Sequence, residues 1–363
     1  MRPSSSPLPA SGSAPNIASV LEKVFNELDR LQFGHGDRRL VVRPVPIGLG
    51  GQITGRKDAL RLALALDRQA VFSDLRDLPY GQTFRPLGPL ANADSPDFFS
   101  PLDLSGQDAA KVVHFDARTD VVRGPPKIEA GLLALVETRL GLEGLSSALL
   151  DGAILAWMTP LDSVTTYVES QQLRLQIDDR TLGVHFRRGD KQAETAFVPA
   201  SEFNRRIAEM HRVWPFETVF LASDSPDAPT EIVVPHGVRL IFDPEEKRYN
   251  NANHKMLMSS PELVEQETLS AYKNIALLSA CGGLVGQDNA HFATLAASTI
   301  LVRHGAPHRV SLIDGRIAER TSPLLRARFR LQKSVRAIGR RLLPWMTASA
   351  KMKRLAARNH DLA

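Results

Sequence analysis

Between Thr181 and Phe197 the chain reads TLGVHFRRGDKQAETAF. An apolar run (Leu182, Val184, Phe186) ends in a burst of charge at Arg187, Arg188, Asp190, Lys191 and Glu194. On a strand, alternation sends His185 and Arg187 to one side and Arg188 to the other, and Gly189 permits a sharp exit turn. A guanidinium at the carboxyl end of a parallel strand suits two-pronged binding of phosphate oxygens. No Asp-x-Asp occurs anywhere in the chain. A diphosphate held here would therefore be neutralised by cationic side chains and helix N-termini rather than by a carboxylate-bound cation. The chain also lacks GxxxxGK[ST], GxSxG, HExxH and the EF-hand loop, and in the loop Gly48-Leu49-Gly50-Gly51 the third glycine of GxGxxG is replaced by Ile53.

The elements that must position these groups follow from periodicity. Residues 17–32 place Ile17, Leu21, Val24, Phe25, Leu28 and Leu31 on one helical face. A strand is expected at Arg39–Val45, the glycine loop at Gly48–Gly51, a helix over 53–68 and a strand at Ala70–Ser73. The stretch 79–108 reads as loop, Lys111–Phe115 as a strand, and 127–140 and 147–158 as helices. In the second half the expected strands are Thr181–Phe186, Thr218–Ala222, Val238–Phe242, Gly283–Gly286 and Thr299–Arg303, with helices over 199–212, 261–280 and 289–298. Strands alternating with helices predict a mostly parallel sheet, and two such α/β units facing a cleft put ligands outside the carboxyl ends of the strands.

The 363 residues are 43% hydrophobic and 23% charged, a composition of ordinary globular proteins. The single cysteine, Cys281, excludes an intrachain disulfide and a cysteine-based zinc cluster. No apolar stretch approaches the roughly 20 residues of a membrane span. The Pro- and Ser-rich residues 1–16 read as a disordered leader without the apolar core of a signal peptide, and the expected location is the cytoplasm. Residues 316–358 hold 13 Lys and Arg against Glu319 alone, and the remainder carries 32 basic against 39 acidic residues. The basic character thus belongs to the tail, and nucleic-acid binding is not expected of the whole.

His185-Phe186-Arg187-Arg188-Gly189-Asp190-Lys191, followed by Glu194 and Phe197-x-Pro199, resembles the H-x-R-R-x-D-K…E…F-x-P signature of the α1,6-fucosyltransferase family. That family includes the enzymes that fucosylate the N-glycan core and the rhizobial nodulation fucosyltransferases. Val219-Phe220-Leu221-Ala222-Ser223-Asp224 resembles its V-[YF]-L-A-[ST]-D strand end. Gly48-Leu49-Gly50-Gly51-Gln52, then Thr83-Phe84-Arg85-Pro86, resembles its G-x-G-x-Q loop and later F-R-P. Asn274-Ile275-Ala276-Leu277-Leu278-Ser279, then Gly283-Leu284-Val285, resembles its D-I-x-x-L-S…F-L-V segment. The chain departs from the pattern in four places. Gly189 replaces a common threonine, so that H-x-R-x-G-D is also similar to the O-fucosyltransferases, and Glu194 aligns only after a one-residue deletion. Asn274 stands where aspartate is usual, and Gln287-Asp288-Asn289-Ala290 replaces a serine-rich turn.

The resemblance implies two Rossmann-like domains facing a cleft in a GT-B-like arrangement. They are expected at 17–170 (acceptor side) and 171–315 (nucleotide sugar), with a basic helical tail at 316–363. It implies a metal-independent inverting transfer of fucose from GDP-fucose to a glycan acceptor, with no cofactor beyond the donor. Arg187 would stabilise the departing diphosphate and Glu194 would act as general base, against its alternative as a solvated loop acid. His185, Arg188, Asp190, Lys191, Asp224, Asn274 and Asn289 are expected near the donor, and Gly48, Gly50 and Gln52 at the cleft.

For several of these a structural reading stands beside the functional one: His185 as a core histidine, an arginine in an ion pair, and Asp190 bracing the arginines. Asp224 would then cap the helix after Pro226, Asn289 would be an N-cap, and Asn274 a surface helix residue. The alternative for the whole chain is a non-catalytic nucleotide- or carbohydrate-binding protein retaining the fold. Arg188-Gly189-Asp190 also spells the tripeptide read by adhesion receptors. In the tail, Ser322-Pro323 starts a helix with an apolar stripe (Leu324, Leu331, Val335, Ile338, Leu342) among arginines. Over 324–346 this suits an anionic membrane surface, against a helix packed back on the domains.

Overall fold

The structure, a computed structural model, describes residues 16–34, 36–43, 48–73, 83–91, 112–116, 126–188, 195–246 and 260–342. The stripe expected at the start folds Ile17–Phe33 into α1, whose Val20, Val24, Leu28 and Leu31 are buried. Asn16 caps it, its side chain accepting from the Ala18 N–H at 3.0 Å. Strands β1 (Arg39–Arg43), β2 (Gln69–Ser73), β3 (Leu90–Ala91) and β4 (Val112–Asp116) form a parallel sheet in the order β3-β2-β1-β4. Helix α2 (Leu49–Leu66) returns from β1 to β2, and α3 (Pro126–Leu140) and α4 (Ser147–Trp157) complete this half. The segment read as a glycine loop is the start of α2, with Gly48 as its N-cap.

Helix α5 (Asp162–Leu175) leads into the second sheet. Its strands are β5 (Thr181–His185), β6 (Thr218–Ala222), β7 (Arg239–Ile241), β8 (Gly283–Gln287) and β9 (Val310–Ile313). All are parallel, in the order β7-β6-β5-β8-β9. Every residue of β5, β6 and β8 is buried, as strands covered on both faces must be. The helices are α6 (Ala200–Val213), α7 (Ala228–Glu231), α8 (Pro261–Ala280), α9 (His291–His304), α10 (Ile317–Thr321) and α11 (Pro323–Leu342). From β5 the chain winds outward through β6 and β7, then crosses back to β8 and β9 on the other side. The reversal places the crevice of a doubly wound sheet between the carboxyl ends of β5 and β8.

One strand expectation fails. Thr299–Arg303 is the last part of α9, and the outer strand is β9 at Val310–Ile313. The β-branched run Ser-Thr-Ile-Leu-Val reads as strand by residue type, but it continues a helix that Gly305 ends in the left-handed region (φ +60°).

The two halves are joined by shared packing. Ile275, Leu295 and Val302, from α8 and α9, belong to the same apolar cluster as Leu60, Leu64, Leu150 and Ile154 of the first half. Helix α4 approaches α9 so closely that a Cβ at Gly152 would collide with the backbone carbonyl of Ser298 and with Val302 Cγ2. Gly131 lies exposed on α3 with nothing within 4 Å of its would-be Cβ. Gly152→Ala is therefore expected to destabilise by about 1–3 kcal/mol. Gly131→Ala is expected to stabilise by about 0.5–1 kcal/mol. Opposite shifts of the melting temperature check the pair.

Candidate active site

The charged end of β5 is organised by a carboxylate from β6. Asp224 Oδ1 accepts the backbone N–H of Arg188 at 2.7 Å, and Ser223 Oγ donates to the carbonyl of Phe186 at 2.6 Å. These bonds carry the β5–β6 pairing past the last strand residues and hold Arg187 and Arg188 extended, on opposite sides. The two guanidiniums then differ completely in environment. That of Arg188 donates to the Val198 carbonyl (2.7 Å) and to Glu231 Oε2 (2.8 Å), and lies 4.0 Å from the centre of the Phe186 ring and 5.2 Å from that of Phe197. It is a structural arginine fastening the 195–198 segment and α7 to β5. The expectation that it sits with Arg187 at the donor is corrected: its donors face inward. Arg187 is about 30% exposed at the crevice, its Nε 4.0 Å from Asp224 Oδ2. Asp224 braces both arginines, and α7 starts from Asp227, so the expected cap gives way to a positioning role.

His185, on the same side of the strand as Arg187, is buried and stacks on Phe292 with ring centroids 5.4 Å apart. Burial, reinforced by the charge of Arg187, pushes its imidazole down to about 3. The ring is therefore neutral at ordinary pH, with one donor and one acceptor nitrogen. Its Nδ1 has no hydrogen-bond partner among the described residues. A satisfied core histidine would have one.

Phe292 also meets the first half. A Cβ at Gly50 would stand 2.8 Å from Phe292 Cδ1 and 3.0 Å from His291 Cβ, which explains a glycine in the first turn of α2. Thr54 Oγ1 lies 2.9 Å from His291 Nδ1. The N-termini of α2 and α9 thus face each other across the crevice, and neither carries a side-chain cap. Their dipoles bring positive potential to one place. Gln52, in the first turn of α2, is buried.

Beside it lies a cavity of about 480 Å³ lined from both halves. Thr54, Lys57, Asp58, Arg61 and Asp151 come from the first half, and Asn289, Ser298, Asp314, Arg316 and Arg320 from the second. Lys57 Nζ is 2.5 Å from Asp151 and 2.9 Å from Asp58. Burial opposes its charge, but the two carboxylates outweigh burial and raise the ammonium above the ordinary lysine range. Sequence reading missed this charged face. Its signal is Arg56, Lys57, Asp58 and Arg61 within one helix whose other residues are mostly apolar, all four buried.

Asn289 lines the cavity and packs on Gly315, while the N-cap of α9 is Ala290. Asn274 is buried rather than on the surface. Its Nδ2 donates to Glu246 at 2.5 Å, and its Oδ1 has no partner among the described residues. Beside it Lys273 pairs with Asp243 at 2.6 Å. Gly189, Asp190, Lys191 and Glu194 lie outside the described residues. The chain resumes at Thr195, buried, its hydroxyl donating to Glu319 of α10.

No protein-family model matches the chain, and no curated protein sequence does. Solved structures resemble it in fold. NodZ α-1,6-fucosyltransferase soaked with GDP-fucose is 15% identical, with 72% of this chain and 93% of that one covered and a TM-score of 0.42. POFUT1 in complex with GDP is 12% identical, covering 77% and 99%, with a TM-score of 0.42. An Arg-to-Lys mutant of Arabidopsis thaliana FUT1 in complex with GDP is 13% identical, covering 77% and 72%, with a TM-score of 0.47. With TM-scores under 0.5, the case for function rests on this chain's own residues.

The neutral His185 has a consequence for stability. Below its ordinary value of 6.5 the unfolded chain takes up a proton that the native ring refuses until about pH 3. Its contribution is complete above pH 6.5 and is lost as pH falls. Between pH 7 and pH 5 this amounts to about 2 kcal/mol. His185→Gln should remove that part of the acid sensitivity in denaturant titrations at the two pH values. An unchanged pH dependence in the variant would show that the ring is protonated natively.

Proposed function

We propose that this chain is a metal-independent inverting glycosyltransferase that transfers fucose from GDP-fucose to a glycan acceptor. The observation that carries the reading is Arg187. It stands at the switch point of a doubly wound parallel sheet, opposite two helix N-termini without side-chain caps. That arrangement is suited to a diphosphate. In this reading Arg187 grips the diphosphate with two prongs and stabilises the charge that develops on it as the glycosidic bond breaks. Glu194 takes the proton of the acceptor hydroxyl as that oxygen attacks the sugar, and Lys191 and Asp190 position the carboxylate and the arginine. The uncharged His185 offers a hydrogen bond to the nucleotide, and Asn274 an acceptor oxygen to an N–H edge of the base. The cavity between α2, α4 and α9 receives the acceptor, with Asn289 on the donor side.

A thermal-shift panel of GDP, GDP-fucose, GDP-mannose and UDP-sugars tests the reading, because a ligand of the native state raises its melting point. GDP and GDP-fucose are expected to stabilise the protein, and failure of every guanine nucleotide to do so refutes the assignment. Stabilisation by GDP without sugar transfer over a broad acceptor panel would favour the non-catalytic alternative. Arg187→Ala should lower turnover of GDP-fucose by about 10²–10³-fold. Arg187→Lys should recover little, since the two-pronged geometry is lost. Arg188→Ala should instead lower the melting temperature, and EDTA should leave the rate unchanged.

A further inference from the structure

Helix α11 leaves an apolar stripe uncovered. Leu324, Leu331 and Val335, on one side of the helix, are 84%, 68% and 59% exposed. The same twenty residues include seven Lys and Arg and no acid. The helix is fastened elsewhere. Arg326 donates to the backbone carbonyls of Glu319 and Arg320, and Leu325 and Phe329, off the stripe, are half-buried. Its first turns are thus held to α10 while the aliphatic row faces outward.

We propose that α11 is an interfacial helix that seats this protein on an anionic bilayer surface. No helix among the described residues is long and apolar enough to cross a membrane, so the mode is to lie on one. In that position the aliphatic row enters the headgroup–acyl boundary, and the long arginine stems carry their charges out to lipid phosphates. Each basic residue near such a surface adds to the attraction, and here none is offset by an acid on the helix. A second copy is a poorer occupant, since pairing two stripes would bring two sevenfold-positive helices together. The row is narrow and purely aliphatic, and its one aromatic neighbour, Phe329, lies off the stripe and is half-buried. That suits a fluid apolar boundary better than a shaped groove, which rewards large anchors. The inference stands whether or not the crevice transfers a sugar.

The full chain is tested by co-sedimentation with vesicles of phosphatidylcholine alone and of phosphatidylcholine with phosphatidylglycerol in equal parts. Binding is expected to the anionic vesicles only, and to weaken as salt is raised. Two variants separate the contributions: Leu324→Ser with Leu331→Ser and Val335→Ser, and Arg330→Glu with Lys333→Glu. Each should cut vesicle binding by about tenfold or more while leaving the melting temperature unchanged, because the positions are exposed. Equal binding to both vesicle types, or full binding by the serine variant, overturns the proposal. So does a wild-type dimer in lipid-free buffer that the serine variant converts to monomer.

Discussion

A single carboxylate determines how the chain leaves its central strand. Asp224 accepts the Arg188 N–H and stands 4.0 Å from Arg187. With both residues held extended, adjacent arginines must part: one goes to the interior and one to the crevice. The interior one is satisfied by a carbonyl, a carboxylate and two aromatic faces. The other is about 30% exposed, with its Nε 4.0 Å from Asp224 Oδ2. Without the Asp224 bond the end of β5 would be free to twist, and the division of labour between the two arginines would be lost.

The same economy governs the surface between the halves. Burying Lys57, Asp58, Arg61 and Asp151 has a desolvation cost that apolar residues would avoid. A purely apolar α2–α4 face would bind α9 more simply. What the charges supply is a cavity whose walls are polar from both sides, directly beside two helix N-termini. Close packing is concentrated where there is no cavity, at Gly152 against α9 and at Phe84 against the edge of Tyr272, 5.6 Å between centroids. Tight apolar contact sets the distance between the halves, and the polar cavity occupies the space that this distance leaves.

Much of this was legible in the residues. Alternation placed His185 with Arg187 and against Arg188, and it holds in the structure because the Asp224 and Ser223 bonds keep the chain extended past the end of β5. What alternation could not tell is which side is interior, since both faces of such a sheet are covered by helices. Arg188 therefore reads like Arg187 until Glu231 and Val198 are found beside it. Thr299–Arg303 reads as strand because a short run rich in β-branched residues carries no period of its own, and Gly305 is the local sign that a helix ends there. The cavity was invisible for a different reason. Asp151, Asn289 and Arg316 are far apart in the chain, and only the packing of α4 on α9 brings them together.

The end of the chain is connected to that cavity by very little. Arg316 and Arg320 line it, α10 spans Ile317–Thr321, and α11 begins at Pro323. Glu319 of α10 accepts from Thr195, the first described residue after the 189–194 segment, both through the hydroxyl and from the next backbone N–H at Ala196. Helix α10 thus touches both the cavity rim and the segment that resumes at Thr195, and α11 follows it after a single residue.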